Sequence, residues 1–169
     1  MSTEKATFGA GCFWGVEAAF AALSGVTATA VGYEGGRLER PSYEDVCTDA
    51  TGHAEVVELD FDPSRVSYAQ LLDAFFALHD PTTLNRQEPD WGTQYRSVIF
   101  YHSPGQQNQA QAKIEQLTKL GRFKPKRIVT KVKPAQTFWR AEEHHQKYLE
   151  KRGQARCHIE TGLQFPVSP

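Results

Sequence analysis

The chain has 169 residues and a formal net charge of −1, with 40% hydrophobic and 23% charged residues, which describes one ordinary globular domain with a single sizeable core. That balance offers no basis for nucleic acid or an anionic membrane as a partner, and no apolar run approaches the length of a membrane span. The polar start, Met1 to Lys5, has no apolar segment behind it, so we expect no signal peptide and a cytoplasmic protein.

Ala6 to Phe8 reads as a short strand running into Gly9-Ala10-Gly11, and Cys12 then stands where a helix begins. Phe13, Val16, Phe20 and Leu23 recur at three- and four-residue spacing, the stripe of an amphipathic helix closed by Ser24-Gly25. Val26 to Tyr33 is a second strand, and Glu34 to His53 is a long irregular segment of the kind that is often functional. Ala54 to Phe61 alternates, with Val57, Leu59 and Phe61 on one face and Glu58 and Asp60 on the other; Glu55 falls on the apolar face.

Tyr68, Leu71, Leu72, Phe75 and Leu78 mark a second helix, followed by a second long loop from Asp80 to Thr93. Tyr95 to Tyr101 reads as a fourth strand. Ser103-Pro104 opens a third helix that ends near Leu120 and buries Ala110, Ile114 and Leu117. Ile128 to Val132 is a fifth strand closed by Pro134, and Arg140 to Arg152 a last helix carrying His144 and His145. Beyond Gly153 the tail shows no periodicity.

Strand, helix, strand, strand, helix, strand is the split βαβ pattern of ferredoxin-like sheets. The expected fold class is therefore α+β, a two-layer sandwich with that core, an extra strand and helices, and an irregular C-terminal tail, all in one domain over 1–169. Right-handed crossovers put the third and fourth strands on either side of the first, both antiparallel to it. Cys12 then shares one sheet edge with the starts of those strands, which carry Glu55 and Tyr95, and with both long loops.

A cysteine at a helix start lies beside unpaired N–H groups and the positive dipole end, which favour thiolate. The effect is worth about 0.3–1 kcal/mol against about 1.36 kcal/mol per pKa unit, so the dipole alone does not make a reactive cysteine. Convergence with a carboxyl group on an apolar face, whose pKa should be raised, gives the pattern of a nucleophile with a general acid. Tyr43 and Tyr95, singly, read as boundary aromatics, Phe13 joins the helix stripe, and Trp14 could line a cavity. The three cysteines, Cys12, Cys47 and Cys157, are odd in number and widely spaced, against a disulfide framework or a zinc site. Cys47 reads as a buried spectator and His145 as a satisfied structural histidine. Cys157, in the tail, suits a mobile resolving thiol for an oxidised Cys12. The pairs His144-His145 and Cys157-His158 match no common metal site.

Gly11-Cys12-Phe13-Trp14-Gly15 resembles the A-type peptide methionine sulfoxide reductases. The likeness continues through Tyr43-Glu44-Asp45-Val46-Cys47, Thr51-Gly52-His53-Ala54-Glu55-Val56-Val57, Leu84-Asn85-Arg86-Gln87, Gly92-Thr93-Gln94-Tyr95-Arg96-Ser97 and Ala141-Glu142-Glu143-His144-His145-Gln146. Glu88 and His144 stand where many members have glycine and tyrosine. The resemblance implies reduction of the S-epimer of methionine sulfoxide, free or in oxidised proteins. Cys12 would be the nucleophile and Glu55 the proton donor, with Tyr43 and Tyr95 on the sulfoxide oxygen. Phe13 and Trp14 would hold the methyl group, and Asp90 the substrate backbone. It further implies a Cys12–Cys157 disulfide reduced by thioredoxin, or by dithiothreitol in vitro, no metal or organic cofactor, and a monomer. The rival readings are a thiol peroxidase or redox sensor, which the aromatic pair beside Cys12 disfavours, and a non-catalytic methionine-sulfoxide-binding module.

Overall fold

The computed structural model describes residues 2–153; the tail and its Cys157 lie outside the described residues. The elements in order are β1 (Glu4–Ala10), α1 (Phe13–Ala21), β2 (Val26–Glu34), α2 (Tyr43–Cys47), β3 (Ala54–Phe61), α3 (Tyr68–Leu78), β4 (Arg86–Gln87) and β5 (Asp90–Trp91). They continue with β6 (Ser97–Tyr101), α4 (Pro104–Lys119), β7 (Lys131–Pro134), β8 (Trp139–Arg140) and α5 (Tyr148–Lys151).

One six-stranded sheet has the order β7-β6-β1-β3-β2-β8. Its middle, β6-β1-β3-β2, is the ferredoxin-like core expected from the sequence, and β1 is antiparallel to both β3 and β6. Residues of one parity on the strands, among them Phe8, Val57, Leu59, Phe61 and Ile99, meet α1, α3 and α4 in the main core. Phe8 sits at its centre, stacked on Phe20 and Phe75 with ring centroids 5.1 and 5.2 Å away; burying a side chain of this size contributes about 1.5–3 kcal/mol. The opposite face carries a smaller cluster, Ala54, Val56, Val98 and Phe100, covered by Ala135 and Phe138. Glu55 has the parity of Val57 and so enters the helix-side layer.

Four local readings need correction. The segment 34–53 is not wholly irregular, because Ser42 and Asp45 form a capping box that starts α2. Tyr95 ends a 3₁₀ turn, Thr93–Tyr95, instead of opening a strand, and β6 begins at Ser97. The fifth strand starts three residues later than its β-branched residues suggest and includes Pro134, whose missing N–H costs nothing on an edge strand. The stretch from Arg140 to Arg152 is not one helix. Arg140 pairs with β2, residues Glu143–His145 form a 3₁₀ turn, and Lys147 takes a φ of 51° before the single turn of α5. Contacts to distant residues override its helical spacing. Gln146 accepts from the Val31 N–H and donates to the carbonyls of Val31 and Ala141, each at 2.9 Å, while Glu17 accepts the Lys147 N–H at 2.7 Å.

Candidate active site

The turn between β1 and α1 is built around Gly11, whose φ is 102°. A Cβ there would stand 3.0 Å from Gln87 Cγ, so glycine meets both the backbone and the space requirement. Cys12 follows as the N-cap of α1 and is partly exposed. Burial pushes its thiol up to about 12, Glu55 and Asp90 add to the rise, and the Trp14 and Gly15 amides at the helix start oppose it. The helix start does favour thiolate, but removal from water outweighs it in the resting protein, in keeping with the expectation that the dipole alone does not make a reactive cysteine.

Glu55 is 1% exposed. Its Oε1 accepts the Phe13 N–H at 3.1 Å, and its Oε2 has no partner among the described residues. Burial raises its pKa to about 8, the Phe13 amide opposes, and Asp90 adds a little. The hydrogen bond therefore leaves one oxygen free, beside Cys12, on a carboxyl group that is protonated at neutral pH.

Two long loops bring the phenols. In the first, His53 Nδ1 accepts the Gly36 N–H at 2.9 Å and Nε2 donates to the Leu38 carbonyl at 2.7 Å, folding the loop back on β3. That gives the Thr51-Gly52-His53 motif a supporting role. Glu142 then braces the start of α2, accepting the Tyr43 N–H at 2.8 Å and the Tyr33 hydroxyl at 2.9 Å. Asp49 accepts the Thr93 N–H at 2.9 Å, which ties the first loop to the turn that carries Tyr95. Both Tyr43 and Tyr95 have their pKa raised, by burial first and by Glu55 among other groups; they are hydroxyl donors throughout the ordinary pH range. Asp90, on β5 of the small β4–β5 hairpin, lines the groove beside Cys12 with Ala10, Trp14 and Gln87.

Phe13 is 1% exposed and packs 5.7 Å from the Tyr33 ring and 5.4 Å from His145. Trp14 stacks on Tyr148 at 3.8 Å and 9°, and its Nε1–H donates to His145 Nδ1 at 3.0 Å. His145 also lies 4.7 Å from the Tyr43 ring, and its buried Nε2 has no partner among the described residues. It is thus not the satisfied core histidine that its spacing with Ala141 and Leu149 suggests; it joins the Phe13, Trp14 and Tyr43 rings. Sequence reasoning also missed Glu142, whose only signal was its place in the C-terminal motif, and Tyr148, which lies just beyond that motif. Cys47 is exposed and hydrogen-bonded to Tyr43, against the buried reading, because α2 turns it toward water. Cys12, Glu55, Tyr43, Tyr95, Asp90, Phe13 and Trp14 are brought together. Among the described residues no three His, Cys, Asp or Glu side chains could hold a metal ion, and no helix is long and apolar enough to cross a membrane.

A model of the peptide methionine sulfoxide reductase family matches residues 4–166. The peptide methionine sulfoxide reductase MsrA of Acidobacterium capsulatum is 71% identical over 155 residues, covering 92% of this chain and 99% of that protein. That of Methanothermobacter thermautotrophicus is 62% identical over 92% of each chain. Among solved structures, reduced Mxr1 from Saccharomyces cerevisiae superposes with a TM-score of 0.81 at 35% identity, over 99% of this chain and 91% of that one. Methionine sulfoxide reductase A of Corynebacterium diphtheriae gives 0.79 at 36%, over 99% and 83%. Mxr1 has also been solved in complex with Trx2, at a TM-score of 0.58 and 28% identity over 86% of this chain and 84% of that one. A nearly full-length family match, high identity and the same fold agree: this chain belongs to the peptide methionine sulfoxide reductase family.

Proposed function

We propose that the protein reduces the S-epimer of methionine sulfoxide, free or in polypeptides, with Cys12 as nucleophile and Glu55 as proton donor. The observation that carries this reading is the free Glu55 oxygen, on a buried and protonated carboxyl group next to the cysteine at the start of α1. Cys12 loses its proton to solvent and its sulfur attacks the sulfoxide sulfur, while Glu55 transfers a proton to the oxygen. The new bond between the two sulfurs forms as the substrate S–O bond breaks and the protonated oxygen departs as hydroxide. Hydroxide then attacks the Cys12 sulfur, the bond between the two sulfurs breaks, methionine leaves, and Cys12 is left as sulfenic acid. The substrate sulfur gains two electrons and the cysteine sulfur loses two, so the step balances without a cofactor.

Protonation of the oxygen makes it a better leaving group as the sulfur is attacked, so chemistry proceeds from a resting thiol of high pKa. Tyr43 and Tyr95 donate to the oxygen. The faces of Phe13 and Trp14, braced by His145 and Tyr148, receive the methyl group, and Asp90 takes the substrate backbone. Cys157 then attacks the sulfenic acid, forming the Cys12–Cys157 disulfide and releasing water. Thioredoxin reduces that disulfide, a reading supported by the Trx2 complex of the related Mxr1. A disulfide that must be reopened at every turnover suits the reducing cytoplasm.

The test gives both sulfoxide epimers of a blocked methionine, with dithiothreitol, to the native protein and to Cys12→Ser. Consumption of the S-epimer alone, abolished by the substitution, is expected. Equal consumption of the epimers or surviving activity would refute it, and binding without turnover by the native protein would favour a non-catalytic module.

A further inference from the structure

The groove of about 400 Å³ beside Cys12 is walled on its far side by Leu78 and His79 at the end of α3. The same two residues wall a second hollow of about 540 Å³, whose opposite rim is the turn after α4, with Arg122, Phe123, Lys124 and Lys126. The two hollows are therefore neighbours on the surface, with Leu78 and His79 as their common wall. That wall is fixed, because the Phe75 carbonyl accepts a hydrogen bond from His79 Nδ1–H at 2.6 Å and His79 Nε2 in turn accepts the Ser97 hydroxyl at 2.8 Å.

Charge is uneven around these hollows. Between Glu115 and Glu142 the chain has eight lysines and arginines and no carboxylate, in a protein of net charge −1. Lys131 and Lys133 lie on β7, an outer strand of the sheet, where lysines guard a free edge against other chains. That explanation does not extend to Arg122, Lys124 and Lys126, which are on no strand and are all exposed. Among the described residues none of the three forms an ion pair with a carboxylate. The acid facing them is Asp80, whose carboxyl interacts with Lys126, so the rim stays positive overall. The turn is also pre-shaped. Gly121, at a φ of 67°, stops α4 with Arg122 N–H to Leu117 O at 3.3 Å and Gly121 N–H to Thr118 O at 3.1 Å. Further bonds run from Lys124 N–H to Gly121 O at 3.2 Å and from Lys126 N–H to Phe123 O at 2.9 Å. Little ordering cost is left for a ligand to meet.

We propose that Arg122, Lys124 and Lys126 form a subsite for the polypeptide around the oxidised methionine, selecting sulfoxides that have aspartate or glutamate a few residues away. The proposal rests on the reductase reading above. An extended chain covers about 3.3–3.6 Å per residue, and the common Leu78–His79 wall sets the turn's hollow next to the groove that holds Cys12. The apolar walls, Leu78 and Phe123, accept the intervening side chains.

The experiment compares kcat/KM for sulfoxide peptides bearing two glutamates on the N-terminal flank, or on the C-terminal flank, with their glutamine counterparts, using dithiothreitol. Exposed charge pairs of this kind give about a threefold to tenfold preference for the acidic peptide on one flank at low ionic strength, vanishing at high salt. In Arg122→Gln/Lys124→Gln/Lys126→Gln, with folding checked by thermal melting, the ratio should fall to about one even at low salt. A native ratio near one on both flanks, a salt-independent ratio, or a ratio unchanged in the triple variant overturns the proposal. A charge effect that appears only when thioredoxin replaces dithiothreitol also overturns it, assigning the turn to reductant docking. Reduction of blocked methionine sulfoxide by the native protein, run alongside, separates these failures from failure of the reductase reading itself, which would remove the proposal's foundation.

Discussion

Burial raises the pKa of both Cys12 and Glu55 in the same dry corner, and Glu55 adds to the rise at Cys12. With Glu55 near 8 and Cys12 near 12, both are protonated at pH 7, and in the proposed mechanism the reacting form has lost one proton. The single-turnover rate of methionine release should therefore rise with pH and level off near 8, where the pair gives up its first proton. Glu55→Gln should slow that step by about 10²–10⁴-fold and remove the levelling, since only Cys12 then titrates; rapid-quench assays from pH 6 to 9 read both effects. Equal burst rates for the two proteins would deny Glu55 its acid role. The carboxyl group was legible in the sequence, because alternation along β3 put Glu55 among Val57, Leu59 and Phe61. His145 was not, because its neighbours Trp14 and Tyr43 are far away in the chain and no local spacing reports them.

At the scale of elements, short pieces held from outside position the site. The five residues of α2 are too few to show helical periodicity, and the Ser42-Asp45 box was the only local sign. Ser42→Ala should cost about 1 kcal/mol, read by chemical denaturation, and lower kcat by loosening Tyr43. The segment after Arg140 shows the converse: a helix-like stripe in the sequence, overridden by long-range bonds. Gln146 is 4% exposed and satisfies the backbone of Val31 and Ala141. The Val31 carbonyl keeps the Ala141 N–H at 2.9 Å, but Gln146→Ala would remove the side-chain partner of the Val31 N–H and of the Ala141 carbonyl and should destabilise the protein by about 2–5 kcal/mol. The strand order, by contrast, followed from the sequence of elements and the handedness of crossovers alone, and it is what put Cys12 and Glu55 at one edge.

The whole molecule carries a related cost in buried acid. Glu34, fully buried at the end of β2, accepts the Gln136 N–H at 2.9 Å through Oε2, while Oε1 has no partner among the described residues. Burial raises its pKa to about 7 from an ordinary 4.5. The folded protein then binds more protons than the unfolded chain across that window, so this group's contribution is full below about 4.5 and is lost as pH rises through about 7. His79, pushed down by burial to about 4, acts in the opposite sense up to its ordinary 6.5, so the informative quantity is a difference. Relative to the native protein, Glu34→Gln should gain stability between pH 5 and 8, as thermal melts would record; a constant difference would mean that Glu34 does not titrate there.

The central claim, that Cys12 takes the oxidising equivalent directly from methionine sulfoxide, is tested most directly in a Cys157→Ser protein without reductant. Mixing it with the S-epimer should release methionine stoichiometric with enzyme and leave a sulfenic acid on Cys12 that dimedone traps and peptide mass spectrometry locates. No burst of methionine, or an adduct on Cys47 with Cys12 still a thiol, would contradict the account.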